Sequence, residues 1–160
     1  MKYFTISEFI KSDTAIKKKI WNGASREQED NIAALVAAVL DPLREWYGKP
    51  ITVTSGFRCV AVNKDKDIGG SVTSQHTKGE AADIVGVGGS VDENFKLGKR
   101  IVEMGTFDQI IFEDVPKSGN LKPQWIHVSW KRVSDNRGNI LKKVKGTKSY
   151  VGVTRKELGL

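Results

Sequence analysis

Hydrophobic positions recur at helical spacing through one long stretch of the chain. Ile32, Leu35, Val36, Val39, Leu40, Leu43 and Trp46 fall on a single stripe. Ser25 and Gln28 have the spacing of a capping box, so this helix is expected to start near Ser25. Gly48 and Pro50 end it, and Pro42, inside the run, is expected to bend or split it near Asp41. A second helix is expected from Ser90 to about Gly105. Ser90 and Glu93 repeat the capping-box spacing there, and Phe95, Leu97, Ile101, Val102 and Met104 supply the apolar positions. Ser7 to Ser12 reads as one short helical turn.

Shorter apolar runs bounded by turn residues predict strands at 51–54, 82–87, 107–112 and 125–131. In the last of these Ile126, Val128 and Trp130 alternate with His127 and Ser129, the period-two pattern of a sheet with two unlike faces. Asp135 to Asn139, with Gly138, predicts a hairpin turn into a strand at 140–144. Residues 55–80 carry Gly56, Asn63, Gly69, Gly70 and Gly79 and read as a long structured loop with a short helical piece; such loops in compact domains carry function. Residues 114–124, with Pro116, Gly119 and Pro123, read as a further loop. Helices that precede and interrupt a small, mainly antiparallel sheet, packed on one side of it, make an α+β plan.

The length of 160 residues suits a single domain, 1–160, with a basic hairpin and tail at about 132–160. Hydrophobic residues at 39% and charged residues at 28% are ordinary for a globular chain. No run of apolar residues is long enough to span a bilayer, and the first eleven residues lack the apolar stretch of a secretory signal. The expectation is a protein made in the cytoplasm. The single cysteine, Cys59, excludes an internal disulfide and a thiolate-rich zinc site, and reads as a small buried hydrophobe. The net charge of +7 favours an anionic partner. Lys142, Lys143, Lys145, Lys148, Arg155 and Lys156 crowd the C-terminus, where the plain reading is a solvated basic tail. No helix-turn-helix, zinc-finger or aromatic RNA-binding signature accompanies the charge, so no nucleic-acid partner is expected.

The chain contains two histidines, and both are unusually placed. His76 lies in the loop Ser74-Gln75-His76-Thr77-Lys78-Gly79-Glu80-Ala81-Ala82-Asp83, seven residues before an aspartate on the next expected strand. His127 lies on a strand, opposite its apolar neighbours. Neutral imidazole and carboxylate oxygen suit zinc, and a catalytic zinc site keeps three protein ligands and one open position. A loop histidine and two strand residues can converge on one ion.

Three segments carry a resemblance: Ser55-Gly56-Phe57-Arg58, then Ser74 to Ile84 with the pattern SxHxxGxAxD, then Trp125-Ile126-His127-Val128-Ser129-Trp130. Together, over about residues 50–131, they resemble the zinc D-alanyl-D-alanine carboxypeptidase and L-alanyl-D-glutamate endopeptidase family, whose metal fold also occurs in the Hedgehog signalling domain. The resemblance implies one zinc per chain held by His76, Asp83 and His127. It implies that Arg58 binds a substrate carboxylate or the developing oxyanion, and that Ser74 bonds to substrate or orients the ligand loop. Many relatives carry an acidic residue three positions before the last histidine. This chain has Gln124 there, and an amide cannot relay a proton. Phe107 to Glu113 resembles a segment whose final glutamate faces the metal water, which makes Glu113 the candidate general base, with Asp114 and Asp108 in reserve. The implied activity is hydrolysis of an amide bond in peptidoglycan stem peptides by a monomeric, phage- or prophage-type endolysin. It would act at the cell wall after release, and its positive charge would favour anionic wall polymers. Two rivals stand beside it: a non-catalytic zinc module that binds wall or protein, which Gln124 favours, and a basic nucleic-acid-binding protein of a mobile element.

Overall fold

The computed structural model describes residues 1–118 and 120–160; Gly119, read above as part of the loop after Glu113, lies outside the described residues. Among the described residues six strands form one sheet: β1 (Thr52–Ser55), β2 (Ala81–Val85), β3 (Gln109–Val115), β4 (Trp125–Ser129), β5 (Asn139–Val144) and β6 (Tyr150–Gly152). Their spatial order is β1-β2-β4-β3-β5-β6. All neighbours are antiparallel except β3 and β5, which run parallel.

The sheet has one face for packing and one for chemistry. Ala82 and Ile84 on β2, Ile110 and Phe112 on β3, and Ile126 and Val128 on β4 are fully buried in the core. Their alternating neighbours Asp83, Ile111, Glu113 and His127 point the other way and line an open cleft. Against the apolar face packs the long helix that closes this layer, Val91–Met104, through buried Leu97, Ile101 and Val102. Its Gly98 sits so close to the sheet that an added Cβ would lie 2.6 Å from the Phe112 ring and 2.9 Å from Ile126.

The N-terminal helices complete the core. They are α1 (Ile6–Ile10), α2 (Asp13–Lys18), α3 (Arg26–Leu35) and α4 (Asp41–Tyr47), with a π turn at Val36–Leu40 joining the last two. The expected capping box is present: Ser25 accepts from the Gln28 N–H and Gln28 accepts from the Ser25 N–H. The long helix is divided where Pro42 is expected to act, with α4 beginning at Asp41. The π turn ahead of it already interrupts the ordinary ladder, so the missing N–H falls in the first turn of α4, where none is needed. The apolar stripe holds from Ile32 to Leu43, all fully buried. Trp46 departs from it and is 42% exposed, lying under Lys96 and Arg100, while Tyr47 turns inward in its place.

The remaining helices are α5 (Val60–Lys64), the short helical piece of the long loop, and α6 (Val91–Met104), described above; a 3-10 turn at Gln75–Lys78 leads into β2. The second expected capping box does not form. Ser90 occupies the cap position of α6 without a side-chain hydrogen bond, because Glu93 is drawn away to the Tyr47 hydroxyl and towards Lys49. Asn94 instead receives the Gly86 N–H and donates to the carbonyls of Pro123 and Gln124, tying the helix to the approach to β4.

The C-terminal part differs from expectation. Residues 135–139 are not a hairpin turn, since β5 crosses past β4 and joins the far edge of β3 in parallel. The hairpin comes one strand later, between β5 and β6 around Gly146. The basic tail is anchored to the body. Val153 and Leu158 are buried in the same core cluster as Phe4 and Ile32, Lys142 pairs with Glu157, and Arg155 donates to the Val102 carbonyl. Among the described residues no helix is long and apolar enough to cross a membrane.

Candidate metal centre

His76 is delivered by the 3-10 turn ahead of β2. The carbonyls of this turn are held from α3, where Gln28 donates to Thr77 and Asn31 donates to Lys78. Gly79 ends the turn at φ +73°, a conformation that side-chain-bearing residues rarely adopt, and its missing Cβ leaves room for the Gln28 carbonyl. That accounts physically for the glycine between the histidine and the aspartate. Asp83 and His127 come from directly opposed positions of the antiparallel β2–β4 pair.

The three residues meet. His76 Nε2 lies 3.2 Å from His127 Nδ1 and 3.4 Å from Asp83 Oδ1, and His127 Nδ1 lies 3.0 Å from the same oxygen. These separations match the edge of a tetrahedron around zinc, roughly 3.3 Å for bonds of about 2.0–2.1 Å. The tautomer of His76 suits the task. Its Nδ1 donates to the Gly56 carbonyl at 2.7 Å, which leaves the Nε2 lone pair turned to the shared point. Burial pushes the His76 pKa down, against the pull of Asp83, so the ring is held neutral. Burial opposes ionisation of Asp83, but the two histidines overcome it and hold this carboxyl well below the usual carboxylate range. Two imidazoles and one carboxylate are a donor set that fits zinc.

Arg58 stands behind the aspartate. Its Nη2 is 3.3 Å from Asp83 Oδ2, the side chain is largely buried, and its N–H on Nε has no hydrogen-bond partner among the described residues. Burial lowers its pKa, opposed by Asp83 and Glu113. Arg58 thus already has a carboxylate of the protein itself, while still lining the cleft.

Glu113 lies on β3 two positions from Ile111, the direct neighbour of His127, and therefore on the same face. It is 6% exposed, and its Oε2 accepts no hydrogen bond among the described residues. Burial raises its pKa, partly offset by Lys143, whose Nζ is 3.8 Å from Oε2. Asp114 has φ 51° at an irregularity in the β3–β5 register, which breaks the alternation and brings it to the cleft beside Glu113. Asp108 is fully buried and occupied: Arg137 and Lys131 bind its carboxylate and Gln75 donates to it. Those cations pull its pKa down against the effect of burial. Asp108 holds the fold together and is not in the lining of the cleft. Gln124 is exposed and absent from that lining too. Ser74 lines the cleft, and its carbonyl accepts from the Thr77 N–H and hydroxyl. Cys59 is partly buried against the core.

The family model described as peptidase M15 matches residues 2–129. The chain belongs to the peptidase M15 family. No curated protein matches it. M15 peptidases depend on zinc, so the chain is a zinc metallopeptidase, and His76, Asp83 and His127 form a group able to hold that ion. The matched residues reach β4 and stop there. Sequence reasoning placed Lys143 in a solvated basic tail and did not single out Tyr150, yet the two stand opposite each other on β5 and β6 and line the M15 cleft. The signal available was the alternation in β5, which sends Lys142 to Glu157 and Lys143 to the cleft.

Proposed function

We propose that this M15 peptidase hydrolyses an amide bond in peptidoglycan stem peptides, of the D,D-carboxypeptidase or L-alanyl-D-glutamate endopeptidase type. One observation carries the reading: a buried carboxylate with a free oxygen, Glu113, shares the open sheet face with the three converging donor atoms. His76, Asp83 and His127 would hold zinc, which when bound would supply a Lewis acid and lower the pKa of water. Glu113 takes the proton of the attacking water at Oε2 and passes it to the leaving amine. Arg58 fixes Asp83 through Oδ2 and places positive charge where the carbonyl oxygen becomes negative. Ser74, at the cleft rim, offers a hydroxyl to the peptide backbone.

The reading extends to the setting. A chain of net charge +7 concentrates on anionic wall polymers in a salt-dependent way, which suits a phage or prophage endolysin acting as a monomer at the wall after release. Digestion of purified peptidoglycan with the zinc-loaded protein, followed by mass analysis of the products, tests it. Release of new amino termini at D-alanine or D-glutamate is expected. Intact muropeptides, with zinc bound, would replace it by the non-catalytic zinc-module reading.

A further inference from the structure

The cleft has a wall that the family match does not reach. Residues 2–129 match peptidase M15, whereas β5 and β6 follow at 139–152. Because β5 lies parallel against β3, Leu141 stands beside Ile111, and Lys143, two residues on, reaches the same face beside Glu113. Tyr150 is the direct cross-strand partner of Lys143, and the ammonium lies 5.7 Å from the centre of its ring.

The cations of the cleft are unequal. Arg58 is tied to Asp83, Lys131 and Arg137 are tied to Asp108, and Lys78, which has no ion pair among the described residues, is exposed to solvent. The Lys143 ammonium makes no hydrogen bond among the described residues: its nearest carboxylate oxygen, on Glu113, is 3.8 Å away, beyond hydrogen-bond reach. Its side chain is 28% exposed, so it is half-sheltered from water and open to the cleft. An ammonium ion has three donors and needs no fixed approach geometry. In a half-sheltered position, a substrate anion is the partner such a group lacks. Tyr150, half exposed, offers a flat surface next to it.

We propose that β5 and β6 form a specificity wall of the cleft, in which Lys143 binds a free carboxylate of the substrate peptide and Tyr150 supports the chain that carries it. The inference rests on the peptidase reading above and assigns the substrate's charge. Stem peptides supply the needed chemistry, because γ-linked D-glutamate leaves its α-carboxylate free and amidation of that group removes the charge without changing its shape.

The test compares two synthetic stem pentapeptides that differ only in this group, carboxylate against carboxamide. Binding is followed by calorimetry and cleavage by mass analysis, for the zinc-loaded wild type, Lys143→Met, Lys143→Arg and Tyr150→Ala. Wild type should favour the carboxylate by roughly ten- to a hundredfold, in Kd and in KM, as suits a hydrogen bond to a charged group. Lys143→Met should bring that ratio close to one, and Lys143→Arg should keep most of it. Tyr150→Ala should weaken both peptides alike. The ratio is the decisive readout: loss of Lys143 can also slow both peptides together through Glu113, which leaves the ratio untouched. A Lys143→Met variant that keeps the wild-type preference overturns the proposal while the peptidase reading stands. Lys143-dependent binding of the carboxylate peptide without cleavage supports the wall and sinks the peptidase reading. A wild type that neither binds nor cleaves either peptide overturns both.

Discussion

Arg58 Nη2 lies 3.3 Å from Asp83 Oδ2, while the other oxygen of the same carboxylate is shared with His76 and His127. One side chain thus orients the donor group from behind. The guanidinium anticipated as a clamp for substrate is already engaged by the protein, and its contribution to metal binding becomes measurable.

Arg58→Lys keeps the charge and loses the planar fork. Zinc affinity, measured by competition with a chromogenic chelator, is expected to fall about tenfold, as for other outer-shell partners of metal ligands. The rate should fall with it. Unchanged affinity would return Arg58 to a purely substrate-directed role.

His76→Ala and His127→Ala should each abolish stoichiometric zinc. Elemental analysis of the purified variants reads this directly, against one zinc per chain for wild type. A variant that lacks both imidazoles and still holds one equivalent would place the ion elsewhere.

Glu113→Gln should retain zinc and lose roughly two to four orders of magnitude in kcat, the usual worth of general acid–base catalysis. Gln124→Glu should change little, because residue 124 is exposed and outside the cleft. A large gain from Gln124→Glu beside an indifferent Glu113→Gln would reverse the assignment.

Asp108 gives a stability signature with a definite sign. Arg137 and Lys131 depress its folded pKa below the ordinary 3.8, so the stability it contributes is present above that pH. It is lost as pH falls below 3.8 towards the lower folded value. Asp108→Asn should cost about 3 kcal/mol at pH 7, the low end for a broken buried pair because Arg137 is half exposed. Urea melts of both proteins should converge at the acid end. A gap as wide at pH 2 as at pH 7 would show that the loss is steric and not ionic.

Gly98→Ala is expected to destabilise by about 1–3 kcal/mol, since the new methyl has to displace Phe112 and Ile126. Thermal melts at fixed zinc read the change.

Much of the centre was legible in the sequence. The alternation around His127 marks it as opposite to the core, and the same period places Asp83 and Glu113 on that face. The loop histidine needed the spacing to Asp83 and the left-handed Gly79 to be recognised. Three features were hidden for identifiable reasons. Tyr47 takes the core place in preference to Trp46 because the two lie four and three residues beyond buried Leu43, and spacing alone does not choose between them. Ser90 fails to cap because Glu93 has a distant partner in Tyr47. The direction of β5 is a long-range choice, and the turn-forming residues at 135–139 carry no information about which strand it will join.

The division of the sheet into two faces separates what can change from what cannot. Neighbouring residues of β2, β3 and β4 answer to different constraints, one to the packing of α6 and the next to the contents of the cleft. A substitution at Ile111 or Lys143 alters what the cleft admits without displacing a core atom, whereas one at Ile110 or Phe112 is felt by the helix behind it. Substrate preference in this chain can therefore drift, or be engineered, one residue at a time at little cost in folding. Its scaffold can drift only through paired changes across the helix–sheet interface.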